Sequence, residues 1–399
     1  MKTVVYCKET GEVSGVYDGS FELSRELRKF QDSITVNPAN GFNLEDVLHL
    51  IPNNSIQKPK YTQLYSSIIP PDTEHVIIER DRTGLGDTVS LLSAIQQLRK
   101  DFPDIKITLR AWVPYLQMLE NHPDIDRLED SKTTTPQMLG DKEILIDVGN
   151  KCPAGDYETA RQSLTDKSRN EIFTIALGLR WRGEEPKFHL TEEEKLFGYK
   201  FVKDKSDDTK GNLAVVLRSA EPWKDWPYTE EFCELSLSKY NVFTIDQTMI
   251  LDIDGIHNLA ADQLKMRELM SVLPYMDCVV SPDTGIMHMC DALDVQCLSL
   301  FGSMIGKLYN EKYENTLSIV QGECVLGKSP CFYEVCEGKA NYQPCMSSIK
   351  PQYITQLVNG IVQQGVADKF NQVSATGRKS DGFLRSCLLY TSPSPRDRG

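Results

Sequence analysis

The stretch Cys278–Ser303, CVVSPDTGIMHMCDALDVQCLSLFGS, constrains the fold of this chain more than any other. Cys278–Val280 is short and apolar. Ser281-Pro282-Asp283-Thr284-Gly285 interrupts the run, Ile286–Leu293 carries apolar residues at helical spacing, and Cys297–Phe301 turns apolar again. That order predicts a strand, a tight turn, a helix and a second strand, a β-α-β unit. In such a unit the turn at the carboxyl end of the first strand presents free backbone N–H groups at a helix start, where a phosphate can bind.

With 399 residues the chain is too long for one ordinary core and predicts two domains of roughly 100–200 residues. A net charge of −13 argues against a nucleic-acid partner, because a phosphate backbone needs a basic face. No apolar run approaches the ~18 residues of a spanning helix, and the start MKTVVYCKETGEVSG lacks the apolar core of a signal peptide. The expected location is therefore the cytoplasm, with the 11 cysteines reduced. Cys278, Cys290 and Cys297 lie in apolar surroundings and read as small buried hydrophobes.

In chain order, residues 1–72 are the least informative. Val4–Tyr6 and Val13–Tyr17 suit a hairpin, Glu22–Phe30 and Leu44–Ile51 short helices, and Pro70-Pro71 a boundary. A buried-strand run in Glu74–Glu79 then leads into Asp81-Arg82-Thr83-Gly84-Leu85-Gly86-Asp87. Val89, Leu91, Leu92, Ile95 and Leu98 follow as a helical stripe. Gly84 and Gly86 are thus expected in a strand-to-helix turn and Asp87 at or near the helix N-cap; simple capping explains the same residues equally well. Strands at Ile105–Leu109 and Glu143–Val148, with helices around Pro114–Glu120 and over Arg161–Leu179, complete a parallel, doubly wound pattern. A second series follows: strands at Asn212–Leu217 and Asn241–Ile245, a polar loop at Arg218–Pro227, an edge element at Ile256–Leu259, and helices over Tyr228–Tyr240 and Leu264–Leu273. After Ser303 the pattern is irregular until an amphipathic helix at Pro351–Gln363. That irregular region holds Cys324, Cys331, Cys336 and Cys345, which read either as a structural metal knot or as a loop with free thiols; no pair has CxxC spacing. From Cys387, CLLYTSPSPRD reads as a translated library adaptor, so residues from about Gly377 are set aside.

Three segments together resemble glycosyltransferase family 9, the ADP-heptose:lipopolysaccharide heptosyltransferases. They are VIIERDRTGLGDTVSLLSAIQQLRKDFPDIKITL with NHPDID, LRSAEPWKDWPYTEEF with its lysine before a Trp-Pro pair, and the segment around Asp-Thr-Gly-x-x-His. The likeness covers roughly residues 74–363. It implies an α/β GT-B fold, two Rossmann-like domains facing across a cleft. The expected division is an appendage over 1–72, an acceptor domain over 73–185, a nucleotide-sugar domain over 186–365 and a partly non-native tail over 366–399.

A sugar leaving a nucleoside diphosphate builds negative charge on the departing phosphate, which needs stabilising. Asp283, Thr284 and Gly285 supply a helix N-terminus, and His288, four residues after Thr284, shares its helical face. The resemblance makes Lys224 the diphosphate contact, with Arg218 a helper and Gly84 and Gly86 further donor-binding positions, and Asp87 the base that takes the acceptor's proton, so that one displacement inverts the anomeric centre. These side chains would replace a divalent metal, and no cofactor is expected for transfer. Arg80, Arg82 and Arg110 are the basic candidates near Asp87, and Asp246 is a candidate ribose contact. The expected partners are a nucleotide-sugar donor and a glycan or lipid-linked acceptor met at the inner membrane face. A protein or other surface-glycan acceptor, and a silent nucleotide-binding module, are the competing readings.

Overall fold

The computed structural model describes residues 3–7, 13–17, 33–36, 69–80, 84–133, 139–148, 168–302, 313–320 and 344–374; the first three stretches, 320 and 364–374 are described as backbone alone. The chain divides into two units, Met1–Pro186 and Lys187–Gly399.

In the first unit β1 (Thr3–Cys7), β2 (Val13–Tyr17) and β3 (Ser33–Val36) form an antiparallel sheet in the order β2-β1-β3. The expected hairpin is present, pairing Thr3 with Tyr17 and Tyr6 with Val13. The helices expected at Glu22–Phe30 and Leu44–Ile51 lie outside the described residues.

The unit's larger sheet is parallel: β4 (His75–Arg80), β5 (Lys106–Ala111), β6 (Arg127–Asp130) and β7 (Glu143–Asp147), ordered β6-β5-β4-β7. The chain runs outward from β4 through β5 to β6, then returns to place β7 on the other side of β4. The reversal sits at the carboxyl end of β4, where ligands of doubly wound sheets bind. Strand β6, RLED, was not expected, since its one apolar residue gives no periodicity; an edge strand needs no more.

Helix α1 (Leu85–Asp101) follows β4. Its stripe of Val89, Leu91, Leu92, Ile95 and Leu98 is wholly buried, and so are Ser90 and Ser93. The small serines lie on a helix that packs closely against α3 (Arg169–Ala176). Between them α2 (Val113–Leu116) starts with proline in its first turn and tightens into a 3₁₀ turn at Gln117–Leu119. Ser168 caps α3, its Oγ accepting from the Glu171 N–H at 3.3 Å. The part of the predicted helix from Arg161 to residue 167 lies outside the described residues.

The second unit opens on α4 (Glu192–Lys205), held by a capping box: Thr191 Oγ1 accepts from the Glu194 N–H, and Glu194 Oε2 from the Thr191 N–H. Six parallel strands follow: β8 (Gly211–Val216), β9 (Tyr240–Ile245), β10 (Ile256–Asn258), β11 (Cys278–Pro282), β12 (Cys297–Phe301) and β13 (Thr316–Val320). Their order is β10-β9-β8-β11-β12-β13. Again the winding reverses, here between β8 and β11, which pair directly. The edge position of β10 matches expectation. Strand β13 was missed, falling where the sequence looked irregular.

Helices α5 (Thr229–Ser236), α6 (Met266–Val272) and α7 (Gly285–Ala292) connect the strands, and α8 (Pro344–Ser348) and α9 (Pro351–Ser374) follow β13. Helix α9 packs on α5 and beside β11. The core unites Leu213, Val215, Phe232, Val242, Val280, Leu298 and Ile354. Helices α4 and α6 meet closely at Gly198, where an added Cβ would lie 1.9 Å from the Ser271 carbonyl oxygen. Arg267 of α6 grips Glu194 of α4 beside it, with contacts of 2.6 and 2.7 Å.

Candidate functional site

Each unit gathers charged residues at the carboxyl end of its parallel sheet. In the first, Gly84 is the N-cap of α1 with φ +137°, a backbone region that side chains rarely adopt. Gly86 lies within the helix rather than in the turn, and Asp87 is the third helical residue, in the first turn beside the cap. The glycine requirement at Gly84 also has a steric part, because a Cβ there would come within 3.0 Å of Asp87 Oδ2.

Two guanidiniums hold Asp87. Arg80 Nη2 donates to Oδ2 at 2.7 Å, and Arg169 Nη1 donates to Oδ1. Arg80 is the last residue of β4 and is buried; its guanidinium lies 5.3 Å over the Phe173 ring and donates to the Val148 carbonyl at 3.3 Å. Arg169 opens α3. Both oxygens of Asp87 are thus engaged, while the side chain keeps about 29% exposure. Arg110 is buried too, between Glu129 at 2.9 Å and Glu79 at 3.4 Å. Arg80 and Arg110, expected as basic residues open to an acceptor, are therefore committed to carboxylates. Arg82 lies outside the described residues.

In the second unit the reversal between β8 and β11 brings two loops together. The loop after β8 turns through a 3₁₀ segment at Pro222–Lys224 and is closed by the Ser219 N–H donating to Asp225 Oδ1 at 2.6 Å. Trp226 anchors it: the buried indole donates to the Ile349 carbonyl at 2.8 Å and packs 5.4 Å from the Phe232 ring. Lys224 then reaches across to the loop after β11, with Nζ 3.0 Å from Asp283 and 2.6 Å from Glu221. Burial works against the charge of Lys224, but the field of Asp283 and the contacts with Glu221 outweigh it, so the lysine titrates above its ordinary value. It is an ammonium at neutral pH.

Thr284 is the N-cap of α7, its Oγ1 accepting from the Ile286 N–H at 3.3 Å and lying 2.9 Å from Ser281 Oγ. Gly285 is the first helical residue. His288 is buried, with Nδ1 2.6 Å from the hydroxyl of buried Tyr313. Tyr313 has no signal in the sequence, lying 25 residues on and outside every motif. The structure thus joins Lys224, Asp283 and Thr284 at one place.

Arg218 belongs to a different arrangement. It forms a bidentate pair with Asp246, at 2.9 and 2.7 Å, and Asp246 also accepts the N–H groups of Thr248 and Met249. Burial would raise the Asp246 carboxyl, yet Arg218 and the two amides hold it at about 2. Among the described residues there is no group of three or more His, Cys, Asp or Glu that could hold a metal ion. No described helix is long and apolar enough to cross a membrane.

Residues 251–340 match the family described as glycosyltransferase family 9 (heptosyltransferase). Among curated proteins nothing matches the chain. Solved structures do. The glycosyl transferase family 9 protein of Veillonella parvula DSM 2008 is 16% identical, with 75% of this chain and 100% of that one covered and a TM-score of 0.55. E. coli ADP-heptose LPS heptosyltransferase II is 15% identical over 73% of this chain and 99% of that one, with a TM-score of 0.51. The dodecameric iron-containing heptosyltransferase TibC of enterotoxigenic E. coli H10407, in complex with ADP-D-β-D-heptose, is 10% identical over 91% of both chains, with a TM-score of 0.52. At these identities the likeness is one of fold: an α/β chain of two parallel-sheet, Rossmann-like units, the GT-B class.

Proposed function

We propose, from the match to glycosyltransferase family 9 and from the site built on Lys224 and Asp283, that this chain is an inverting glycosyltransferase using a nucleotide-diphosphate sugar, with ADP-heptose the favoured donor. The observation that carries the reading is the Lys224–Asp283 bridge over the reversal of the second sheet, beside the N-terminus of α7. A fixed ammonium stands there beside the positive end of a helix, the chemistry a departing diphosphate requires. Asp283 orients Lys224, and Trp226 holds its loop. Thr284 adds a hydroxyl and Gly285 allows close backbone approach. His288, held by Tyr313, lies one turn further along the same helix. On this reading Arg218 supports Asp246, the candidate ribose contact, rather than the diphosphate.

Transfer proceeds by attack of the acceptor hydroxyl on the anomeric carbon as the C–O bond to the diphosphate breaks. Asp87, in the first unit, accepts the hydroxyl proton late in that step. The diphosphate leaves with the electron pair and is held by Lys224 and the α7 N-terminus. These groups carry the charge that a divalent cation carries elsewhere, so EDTA is expected to leave the rate unchanged. The acceptor is a lipopolysaccharide-type or other glycan, presented to a cytoplasmic enzyme at the inner membrane face. Iron is a property of TibC; here Cys324, Cys331, Cys336 and Cys345 offer the four thiolates a tetrahedral ion takes. Of these, only Cys345 falls within the described residues, where it is buried against Gly302. A metal there would crosslink the loop, and elemental analysis of the purified protein tests for it.

The donor assignment is tested by thermal shift. A nucleotide sugar at 100 times its Kd adds about 2.7 kcal/mol to stability. ADP-heptose is expected to raise the melting temperature of the wild type and of Asp87→Ala but not of Lys224→Ala, and Asp87→Ala is expected to transfer nothing. Absence of any shift with ADP- or GDP-sugars would overturn the donor, and transfer by Asp87→Ala would overturn the base.

A further inference from the structure

We propose that Arg169 is a positioning residue for Asp87, fixing the orientation of the carboxylate that receives the acceptor's proton; the proposal rests on the reading of Asp87 as the base. A carboxylate held through one oxygen swings about its Cβ–Cγ bond, and one held through both does not. Arg80 engages Oδ2 and Arg169 engages Oδ1. Each oxygen has a second lone pair, so the clamp leaves the carboxylate able to accept a proton while setting its plane.

The two arginines differ in kind. Arg80 is locked by burial, by Phe173 and by Val148, and forms part of the sheet's own framework. Arg169 stands at the first position of α3, whose cap Ser168 and packing on α1 determine where its guanidinium falls. The geometry of the base is thereby set by a second helix, distant in sequence from the GxGD segment that carries Asp87. At this end of the sheet Arg110 also pairs with Glu79 and Glu129, and Asp130 and Asp147 end β6 and β7.

Arg169→Gln and Arg169→Lys test the assignment, with ADP release from ADP-heptose measured in the presence of a deacylated lipopolysaccharide core acceptor. Loss of one charge-assisted bond and of the carboxylate's alignment is expected to lower kcat about 10- to 100-fold in Arg169→Gln, with the donor KM unchanged. Removing a cation beside the base is also expected to move the acidic limb of the kcat/KM profile up by about one pH unit. The Asp87 carboxyl ¹³C resonance, identified by its absence in Asp87→Asn, is expected to titrate higher by the same amount, a readout needing no substrate. Arg169→Lys keeps the charge and should restore the acidic limb while regaining only part of kcat, which a purely structural role would not separate. An unshifted limb and an unshifted Asp87 titration in a folded Arg169→Gln protein would overturn the proposal with the base reading intact. An active Asp87→Asn enzyme would instead overturn the base reading itself.

Discussion

Substituting alanine for the glycine at position 198 reverses the usual effect of such a change. Gly198 lies inside α4, where Gly→Ala ordinarily stabilises a helix by about 1 kcal/mol. Here the new Cβ would sit 1.9 Å from the Ser271 carbonyl oxygen and 3.1 Å from the Tyr275 ring. Ordinary contact begins near 3.4 Å, so the backbones of α4 and α6 must part by about 1.5 Å, and the blocking atom belongs to backbone that cannot rotate away. Overpacking of this kind costs about 1–3 kcal/mol and outweighs the gain in propensity. Glu194 and Arg267 bridge the same two helices and would be drawn apart with them. Gly360 in α9 is the internal control, since nothing lies within 4 Å of its Cβ position. Urea and thermal denaturation of both variants should give opposite signs. Gly198→Ala should fall by up to about 8 °C and Gly360→Ala should rise by about 2–4 °C, at about 2–4 °C per kcal/mol for a chain of this size. A Gly198→Ala protein as stable as wild type would refute the argument that this contact is tight.

Two further outcomes follow from the sites. Burial pushes the carboxyl of Asp291, on α7, up to about 6, against the opposing pull of the Asn315 N–H and Lys187. Between the ordinary value of 3.8 and about 6 the folded chain holds more protons than the unfolded one, so ionising Asp291 weakens the fold as pH rises through that window, by about 3 kcal/mol in full. Asp291→Asn keeps an acceptor for Asn315. It should be the more stable protein at pH 7.5 by about 1–3 kcal/mol and level with wild type at pH 4, and equal urea midpoints at both pH values would exclude this account. In the first unit, Gly84→Ala forces a side chain into φ +137° at a cost of about 1–3 kcal/mol and crowds Asp87. Transfer should fall at least about 10-fold while the thermal shift with ADP-heptose is retained, and full activity would show that Asp87 tolerates displacement.

The elements that the sequence announced are those whose apolar residues repeat. The β11-α7-β12 unit, α1 and the buried strands β8 and β9 were readable because burial on both faces demands continuous apolar runs. Strand β6 carries RLED, and no period marks a strand that hides so little. Glycine at 84 was recognised as a turn residue, yet its second reason, the room Asp87 needs, is a three-dimensional fact. Asp87 falls near the cap, in the first helical turn, while Gly84 itself takes the cap position. Lys224 and Asp283 were each singled out, but their contact depends on strand order, which local patterns do not encode. The partners that complete each site, Arg169 on Asp87 and Tyr313 on His288, stand far off in sequence within unremarkable surroundings. Arg80 and Arg110 misled for the converse reason: a charge count does not reveal that a guanidinium is already engaged.

The central pairing of the second sheet also bears on the order in which the protein is made. Strands β8 and β11 are adjacent in space, and the Asn212 N–H donates to Asp277 across 65 residues of chain. During synthesis β8, β9 and β10 emerge first and can pair as a half-sheet, but the half-sheet has no Asp283 to hold Lys224 and no α7 N-terminus beside it. Closing so long a loop raises the entropic cost only slowly with length, though it must be met before any contact across it repays it. If Lys224 and α7 hold the donor's diphosphate as proposed, a nascent chain gains affinity for it only once β11 and α7 have docked. Donor binding should then act as a late clamp on folding, drawing the chain forward through a long-range pairing step.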